Sequence, residues 1–280
     1  MSTLQTFFFV PANNQKFIEK SKSLKTDYVI FDLEDAVLLS ELCTCLENLS
    51  KLDIQNNYYI RFTFFDSLGK LDENLFDSVL KTGFNNFVIP KFMSTEQLLQ
   101  IKIYLEKNNI IESNPKFILL VESPLGLLNL YKTLKQNIIP VFAVGLGSHD
   151  YANEIGMKHN QYNLYFAKQL VLNCAKAFNL LPLDTVSVNI DDDNEFEAES
   201  KLAFEMGFEG KFVIHPHQLD VIHNIDYYTE DEIAEAKKIH ERILDIQSKK
   251  TALVRIDGKI YEKPHIKRIM NIINWSRKWK

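Results

Sequence analysis

The stretch Phe117-Ile118-Leu119-Leu120-Val121-Glu122-Ser123-Pro124-Leu125-Gly126 sets the reading of the whole chain. Its first five residues are apolar without interruption, the pattern of a strand buried on both faces. An acid ends the run. Ser-Pro follows, which is helix-start chemistry: the serine accepts a backbone N–H, and proline has no amide to leave unpaired. A buried strand that turns through a charge into a helix is half of a parallel βαβ unit. The same rhythm recurs in both directions. Short runs rich in Val, Ile, Phe and Tyr occupy residues 6–11, 28–35, 58–63, 87–91, 117–123, 141–148, 183–190 and 211–216. Helical chemistry fills most gaps, with a capping box at Ser94-Thr95-Glu96-Gln97 and helical spacing over 162–180.

Proline supports these limits. Pro115, Pro140 and Pro182 stand just before runs five, six and seven; Pro11, Pro90, Pro124 and Pro216 stand at or just after the ends of runs one, four, five and eight. A residue without an amide hydrogen belongs at strand boundaries. Eight strands alternating with helices predict an α/β fold, an eight-stranded parallel β/α (TIM) barrel, with an open doubly wound sheet as the alternative. Such a barrel takes about 250 residues, so the 280-residue chain divides into a barrel over 1–225 and an extension over 226–280. In the extension, Thr229-Glu230-Asp231-Glu232 opens a helix to about Gln247, Asp257-Gly258 marks a hairpin between 252–256 and 259–261, and a last helix covers 264–279.

Charge and composition exclude several classes. Hydrophobic residues reach 46%, too many for a disordered chain, and no run approaches the roughly 20 apolar residues of a membrane span. The net charge of -5 argues against nucleic acid as a partner. It is uneven: ten Lys or Arg against two acids between Lys249 and Lys280 give that tail +8 and leave -13 for the rest. The tail reads either as a solvated helix face or as a basic arm that docks on a neighbour's acidic rim. Cys43, Cys45 and Cys174 lack disulfide or zinc spacing and read as free thiols, and the N-terminus lacks a signal-peptide pattern, so a cytoplasmic setting is expected.

In barrels of this type chemistry gathers at the C-terminal ends of the strands. Those ends carry Asp32, Glu34 and Asp35 on run two, Arg61 on run three, Lys91 on run four, Glu122 on run five, His149 and Asp150 on run six, and His215 on run eight. Glu122 and Asp150 follow buried strands directly, and two hard oxygen ligands with room for water suit Mg²⁺. Alternatively, either acid caps the next helix or pairs with Lys91. Strand alternation sends Asp32 and Glu34 one way and Asp35 the other, unless the strand ends there. These acids read as acceptors for metal-bound waters or as a solvated strand end. Arg61 is positioned to clasp a substrate carboxylate through two parallel hydrogen bonds, or to bridge Glu34. His215 reads as a structural histidine ahead of an acid–base group, and His149 as a base or a mere neighbour of Asp150. Gly126, Gly145, Gly147 and Gly210 lie beside strands five, six and eight.

Several of these stretches occur together in order: Phe9-Val10-Pro11-Ala12-Asn13-Asn14, Phe31-Asp32-Leu33-Glu34-Asp35-Ala36-Val37, Val121-Glu122-Ser123-Pro124-Leu125-Gly126, Gly147-Ser148-His149-Asp150-Tyr151, Phe208-Glu209-Gly210-Lys211, Ile214-His215-Pro216-His217-Gln218 and Asp257-Gly258-Lys259. The chain thereby resembles the aldolase/citrate lyase family, close to citrate lyase beta subunits and to citramalyl-CoA and malyl-CoA lyases, over about residues 7–268. The resemblance implies a β/α barrel that binds Mg²⁺ and cleaves a carbon–carbon bond by retro-Claisen or retro-aldol chemistry. It implies Glu122 and Asp150 as metal ligands, Glu34 and Asp35 as holders of metal-bound waters, and Arg61 as a catalytic and substrate-binding residue beside the metal. Gly147 and Ser148 join Arg61 in substrate binding. A homo-oligomer, trimer or hexamer, is implied too, with the extension packed on a neighbouring subunit.

The chain departs from the family pattern in several positions. Glu262 stands where CoA-using relatives carry the aspartate that serves the neighbouring subunit's site as catalytic base. Asn14 and Lys16 stand where two arginines usually hold the CoA nucleotide, with Lys20 kept. His149 replaces a common acid, and the basic residues that usually follow the acidic run-two motif are missing over 38–46. The expected function is therefore a Mg²⁺-dependent lyase (or the reverse condensing enzyme) on the CoA thioester of a hydroxy acid, with Lys16 and Lys20 binding the CoA. The alternatives are an aldolase on a free 2-oxo acid without CoA, and a non-catalytic assembly or regulatory homologue.

Overall fold

A computed structural model describes residues 3–35, 37–247, 254–256 and 258–278. Eight parallel strands close into a barrel: β1 (Gln5–Pro11), β2 (Tyr28–Asp32), β3 (Tyr58–Arg61), β4 (Asn86–Phe92), β5 (Lys116–Val121), β6 (Val141–Leu146), β7 (Leu181–Asp184) and β8 (Gly210–Val213). Closure is direct, since Phe7 of β1 registers with Tyr28 of β2 on one side and Phe212 of β8 on the other. Around it run α1 (Gln15–Ser21), α2 (Leu42–Leu49), α3 (Glu73–Leu80), α4 (Thr95–Lys107), α5 (Pro124–Gln136), α6 (Ser148–Ile155), α7 (Gln161–Ala177), α8 (Asp193–Met206) and α9 (Pro216–His223). The closed ring excludes the open doubly wound sheet.

The continuous apolar runs follow from two cores. On β5, Ile118 and Leu120 join Phe7, Ile30, Tyr59, Val88, Leu183 and Phe212 inside the barrel. Phe117, Leu119 and Val121 join the outer layer between strands and helices, with Phe31, Ile60, Leu130 and Val171. Both faces of the strands are largely covered, so most of their interior positions are apolar and charges gather toward the strand ends. Alternation then fixes which charges meet. Residues one step beyond an outward residue turn inward at the mouth: Asp32 after Phe31, Arg61 after Ile60, Glu122 after Val121. Asp184 and Lys211 have the opposite parity. They follow or precede the inward Leu183 and Phe212, so they lie in the barrel–helix layer and pair in register.

Three expectations need correcting. Run two stops as a strand at Asp32, not Asp35. Run seven is a strand over Leu181–Asp184 rather than 183–190, so Pro182 lies within it. The β-like alternation from Thr185 to Ile190 finds no partner, because β8 is only four residues long. Instead Lys211 Nζ donates to Thr185 O at 2.9 Å, and Gln218 Nε2 to Ser187 O at 2.8 Å, holding that segment as a loop. Pro90 is also inside its strand, beside a register shift between Ile89 and Phe92 where Lys91 takes φ 48°. A bulge tolerates the missing amide. The Ser94 box forms as read, with Ser94 N–H donating to Gln97 Oε1 at 3.3 Å.

The described residues form two compact units, one within Gln5–His223 and the other from the described part of 1–4 and 224–280. The second contains α10 (Glu230–Gln247), a hairpin of β9 (Val254–Ile256) and β10 (Lys259–Tyr261), and α11 (Lys263–Lys278). Its own core joins Ala236, Ile239, Ile243, Ile256, Ile269, Ile272 and Ile273. Thr229 and Glu232 cap α10 reciprocally, at 2.9 Å and 3.2 Å. Gly258 takes φ 82° at the hairpin turn, which a side chain would strain. Residues 252, 253 and 257 of the expected hairpin, and 279 of the last helix, lie outside the described residues. No helix among the described residues is long and apolar enough to cross a membrane. Cys43, Cys45 and Cys174 are free thiols.

Candidate active site

The mouth of the barrel holds a cavity of about 330 Å³. Its polar wall is Asp32, Asp35, Arg61, Glu122, Gly147, Ser148, His149 and Asp150; its apolar wall includes Phe9, Val186, Val188, Phe212 and Ile214. Thus Arg61, Glu122, Asp150, Gly147 and Ser148, all read from sequence, converge. A neighbouring cavity of about 540 Å³ borders the same Asp35, Glu122 and Asp150 from the side of Lys91, Asn153 and Glu154.

Arg61 is buried and its guanidinium is enclosed by acids. Nε and Nη2 each lie 2.7 Å from an oxygen of Asp32, a bidentate pair. Nη2 also meets Asp35 at 2.9 Å, and Nη1 meets Glu34 at 3.4 Å. The expected fork for a substrate carboxylate is therefore already used on Asp32. What remains is Nη1, suited to one oxygen rather than two. The Glu34 bridge, the other reading of Arg61, is present. Burial opposes the charge of Arg61, but Asp32, Asp35 and Glu34 outweigh it and hold the guanidinium protonated above its ordinary value. The early end of β2 explains the convergence. Beyond Asp32 the chain turns, so alternation no longer separates Asp35 from Glu34, and all three acids face one cation. Glu34 also pairs with Lys91 Nζ at 2.8 Å. Burial pushes the Glu34 carboxyl up, against the pull of Lys91 and Arg61.

Glu122 is 6% exposed. Lys91 N–H donates to its Oε2 at 2.7 Å, a bond made possible by the bulge in β4. Burial, then the charges of Glu34 and Asp150, push its carboxyl up to about 8. Asp150 stands in the first turn of α6, behind Gly147. A Cβ on Gly147 would come within 2.4 Å of Glu122 Cγ and 2.6 Å of Oε1, so glycine is what lets that carboxylate sit here. At the start of α5, Ser123 Oγ accepts from Gly126 N–H at 3.1 Å, which uses one of the amides the Ser-Pro start leaves over.

A cation fits this donor set. A carboxyl pushed up by burial first and then by two neighbouring acids gains from an added positive charge. No group of three or more His, Cys, Asp or Glu arranged for a metal occurs among the described residues. An ion here would rest on Glu122, Asp150 and water, which is the habit of Mg²⁺ and not of structural Zn²⁺.

The profile of the HpcH/HpaI aldolase/citrate lyase family matches residues 5–216. The chain belongs to this family. Citrate lyase subunit beta of Haemophilus influenzae is 28% identical over 99% of this chain and 98% of that protein. Mitochondrial citramalyl-CoA lyase of Rattus norvegicus is 26% identical, over 95% of this chain and 83% of that one. The fold matches the CitE protein of Mycobacterium tuberculosis, whose structure is a complex with magnesium, acetoacetate and coenzyme A, with a TM-score of 0.81 at 18% identity over 99% of both chains. Relatives of this kind mark the chain as a lyase.

Of the remaining barrel candidates, Lys16, Lys20 and His215 do not line the mouth cavity. Lys16 and Lys20 are exposed on α1. Lys20 lines a cavity of about 250 Å³ with Phe9, Phe17, Leu24, His215 and Pro216; Lys16 does not. Asn14, at a usual arginine position, caps α1 by accepting from Lys16 N and Phe17 N. Glu262 belongs to the second unit, exposed just before α11, its N–H donating to His265 Nδ1 at 3.1 Å. His215 is exposed and its Nδ1 accepts from His217 N–H at 3.3 Å.

Sequence reasoning missed two groups. Lys168, Asp184 and Lys211 form a fully buried ion group, with Asp184 Oδ1 2.6 Å from Lys168 Nζ and Oδ2 2.9 Å from Lys211 Nζ. His159 stacks on His149 with centroids 4.0 Å apart and planes 3° apart. The only available signal was charge inside otherwise apolar strands, at Asp184 and Lys211.

Proposed function

We propose that this chain is a Mg²⁺-dependent carbon–carbon lyase acting on the CoA thioester of a hydroxy acid, by retro-Claisen or retro-aldol cleavage or the reverse condensation. The observation that carries the reading is that Glu122 and Asp150 border one cavity with Arg61 in a member of a lyase family. When bound, Mg²⁺ supplies Lewis-acid polarisation of a substrate carboxylate and its neighbouring oxygen. Glu34 and Asp35 would hold waters of that ion. Arg61 directs Nη1 at the thioester oxygen, where negative charge grows as the bond breaks and an enolate forms. Gly147 and Ser148 seat the acid fragment. Glu262 of a neighbouring subunit takes the hydroxyl proton, in a homotrimer or hexamer where the basic extension docks on the next barrel. Lys16 and Lys20 hold the CoA phosphates.

Isothermal titration tests this directly. Mg²⁺ is expected to bind the wild-type protein, and acetyl-CoA or propionyl-CoA to bind the Mg²⁺-loaded protein; no heat from either thioester would remove CoA from the reading. Gly147→Ala is expected to crowd Glu122 and lower Mg²⁺ affinity about 10- to 100-fold in the same titration. An unchanged affinity would mean that Glu122 is not a ligand. A second reading, lyase action on a free 2-oxo acid, is favoured by one observation: Asn14 is committed to capping α1, so the first loop has lost a cation. Turnover of a 2-oxo acid adduct that Lys16→Ala leaves untouched would select it.

A further inference from the structure

We propose that His159 is a positioning residue of this site: it fixes the first turn of α6, and with it Ser148 and Asp150, from a base anchored on the buried Lys168–Asp184–Lys211 group. The proposal rests on reading the barrel-mouth cavity as the active site.

The first turn of α6 needs an external tether. Its N-cap is Gly147, which has no side chain to close the turn, and the helix is only eight residues long. His159 supplies the tether twice. Its Nε2 lies 3.0 Å from Oγ of Ser148, a side chain 1% exposed. Its ring lies flat against His149, the next residue of the turn. Either tautomer of His159 serves, because a hydroxyl both donates and accepts. Asp150 follows immediately, so gripping Ser148 and His149 sets where its carboxylate stands.

His159 is itself held. The next residue, Asn160, caps α7 by accepting Asn163 N–H at 2.8 Å. Gln161 then accepts from Lys168 Nζ at 2.9 Å and donates to Glu199 Oε1 at 2.8 Å. Lys168 shares Asp184 with Lys211, and all three are 1% exposed or less. Moving the start of α7 would pull apart charges that water cannot reach, which proteins resist strongly. The α7 start is thus a rigid post, and His159 stands on it facing α6.

Two variants separate the bond from the ring. His159→Phe keeps a flat ring but cannot bond Ser148. His159→Gln restores a donor and acceptor without the ring. In His159→Phe, hydrogen exchange of amides in 148–155 is expected to accelerate about tenfold, with strands β4 and β5 unchanged, because a buried hydroxyl loses its partner. His159→Gln is expected to recover most of that protection. Mg²⁺ affinity by titration is expected to fall about tenfold in His159→Phe and to recover in the same order. Exchange in 148–155 equal to wild type in His159→Phe overturns the proposal. If that variant does not fold, Ser148→Ala breaks the same bond from the other side, and unaltered exchange in that segment overturns it equally. A wild-type protein that binds no Mg²⁺ sinks the metal-dependent function and leaves the exchange comparison decisive for His159.

Discussion

Asp184→Ala is expected to destabilise the barrel by about 3–5 kcal/mol, because it leaves Lys168 and Lys211 buried without their anion. For a chain of this size that is a fall in melting temperature of roughly 10 °C or more. Burial alone would raise the Asp184 carboxyl, but Lys211 and Lys168 outweigh it and hold the group below its ordinary value. The sign follows. A depressed folded value stabilises above the unfolded value of 3.8 and loses that contribution as pH falls through the folded one. Wild type should therefore hold this term at neutral pH and lose it only in strong acid. Urea unfolding across pH tests this. Combining Asp184→Leu with Lys168→Met and Lys211→Met should recover much of the loss, since apolar side chains of similar size often replace a buried ion group without harm. If Asp184→Ala unfolds at the same urea concentration as wild type, the group is not what holds β7, β8 and α7 together.

The contrast between this group and the mouth explains what the sequence made legible. Both arise from strand parity. The mouth charges, Asp32, Arg61 and Glu122, fall at strand ends, where a continuous apolar run stops and a charge becomes conspicuous. Asp184 and Lys211 fall on the outward parity, near the starts of runs seven and eight as read from sequence, where no mouth is expected. Their charge is the one local mark, and their partner Lys168 is supplied by α7, which only the closed barrel brings near. His159 was invisible for the same reason: its partners, Ser148 and His149, are eleven and ten residues upstream across an intervening turn, a contact with no periodicity to betray it. The limit of β7 differs from the reading because β-like alternation over 185–190 continues past the point where β8 offers a partner. A strand lasts only while something pairs with it, and that length is set by its neighbour, not by its own residues. Arg61 shows a further limit. Its position at the mouth was readable, but whether its fork was free depended on the turn after Asp32, which brings Asp32, Glu34 and Asp35 onto one guanidinium.

Glu122→Gln is expected to have opposite effects on stability and on function. The carboxyl is pushed up to about 8 from 4.5 by burial and by Glu34 and Asp150. Below pH 4.5 it is protonated in folded and unfolded chains alike and contributes no difference. Between 4.5 and 8 the unfolded chain has released the proton while the fold retains it, so stability falls as pH rises. Above 8 the charge is forced on the buried site and the whole penalty is present, on the order of a few kcal/mol. Glutamine has the same shape and no charge. Metal-free Glu122→Gln should therefore match wild type near pH 4 and melt several degrees higher near pH 9, a gap of roughly 5–10 °C. Mg²⁺ should reverse the order. It is expected to stabilise wild type increasingly as pH rises toward 8, because the ligand must lose its proton to bind. It should leave the variant unaffected. Turnover of the variant should drop roughly 100- to 1000-fold, the scale of several kcal/mol of lost transition-state stabilisation. Thermal melts at pH 4, 6.5 and 9, each with and without Mg²⁺, read all of these arms together. Parallel pH profiles for variant and wild type without metal would show that the buried carboxyl is not under this electrostatic load. A variant that Mg²⁺ stabilises as well as it does wild type would move the ion away from Glu122.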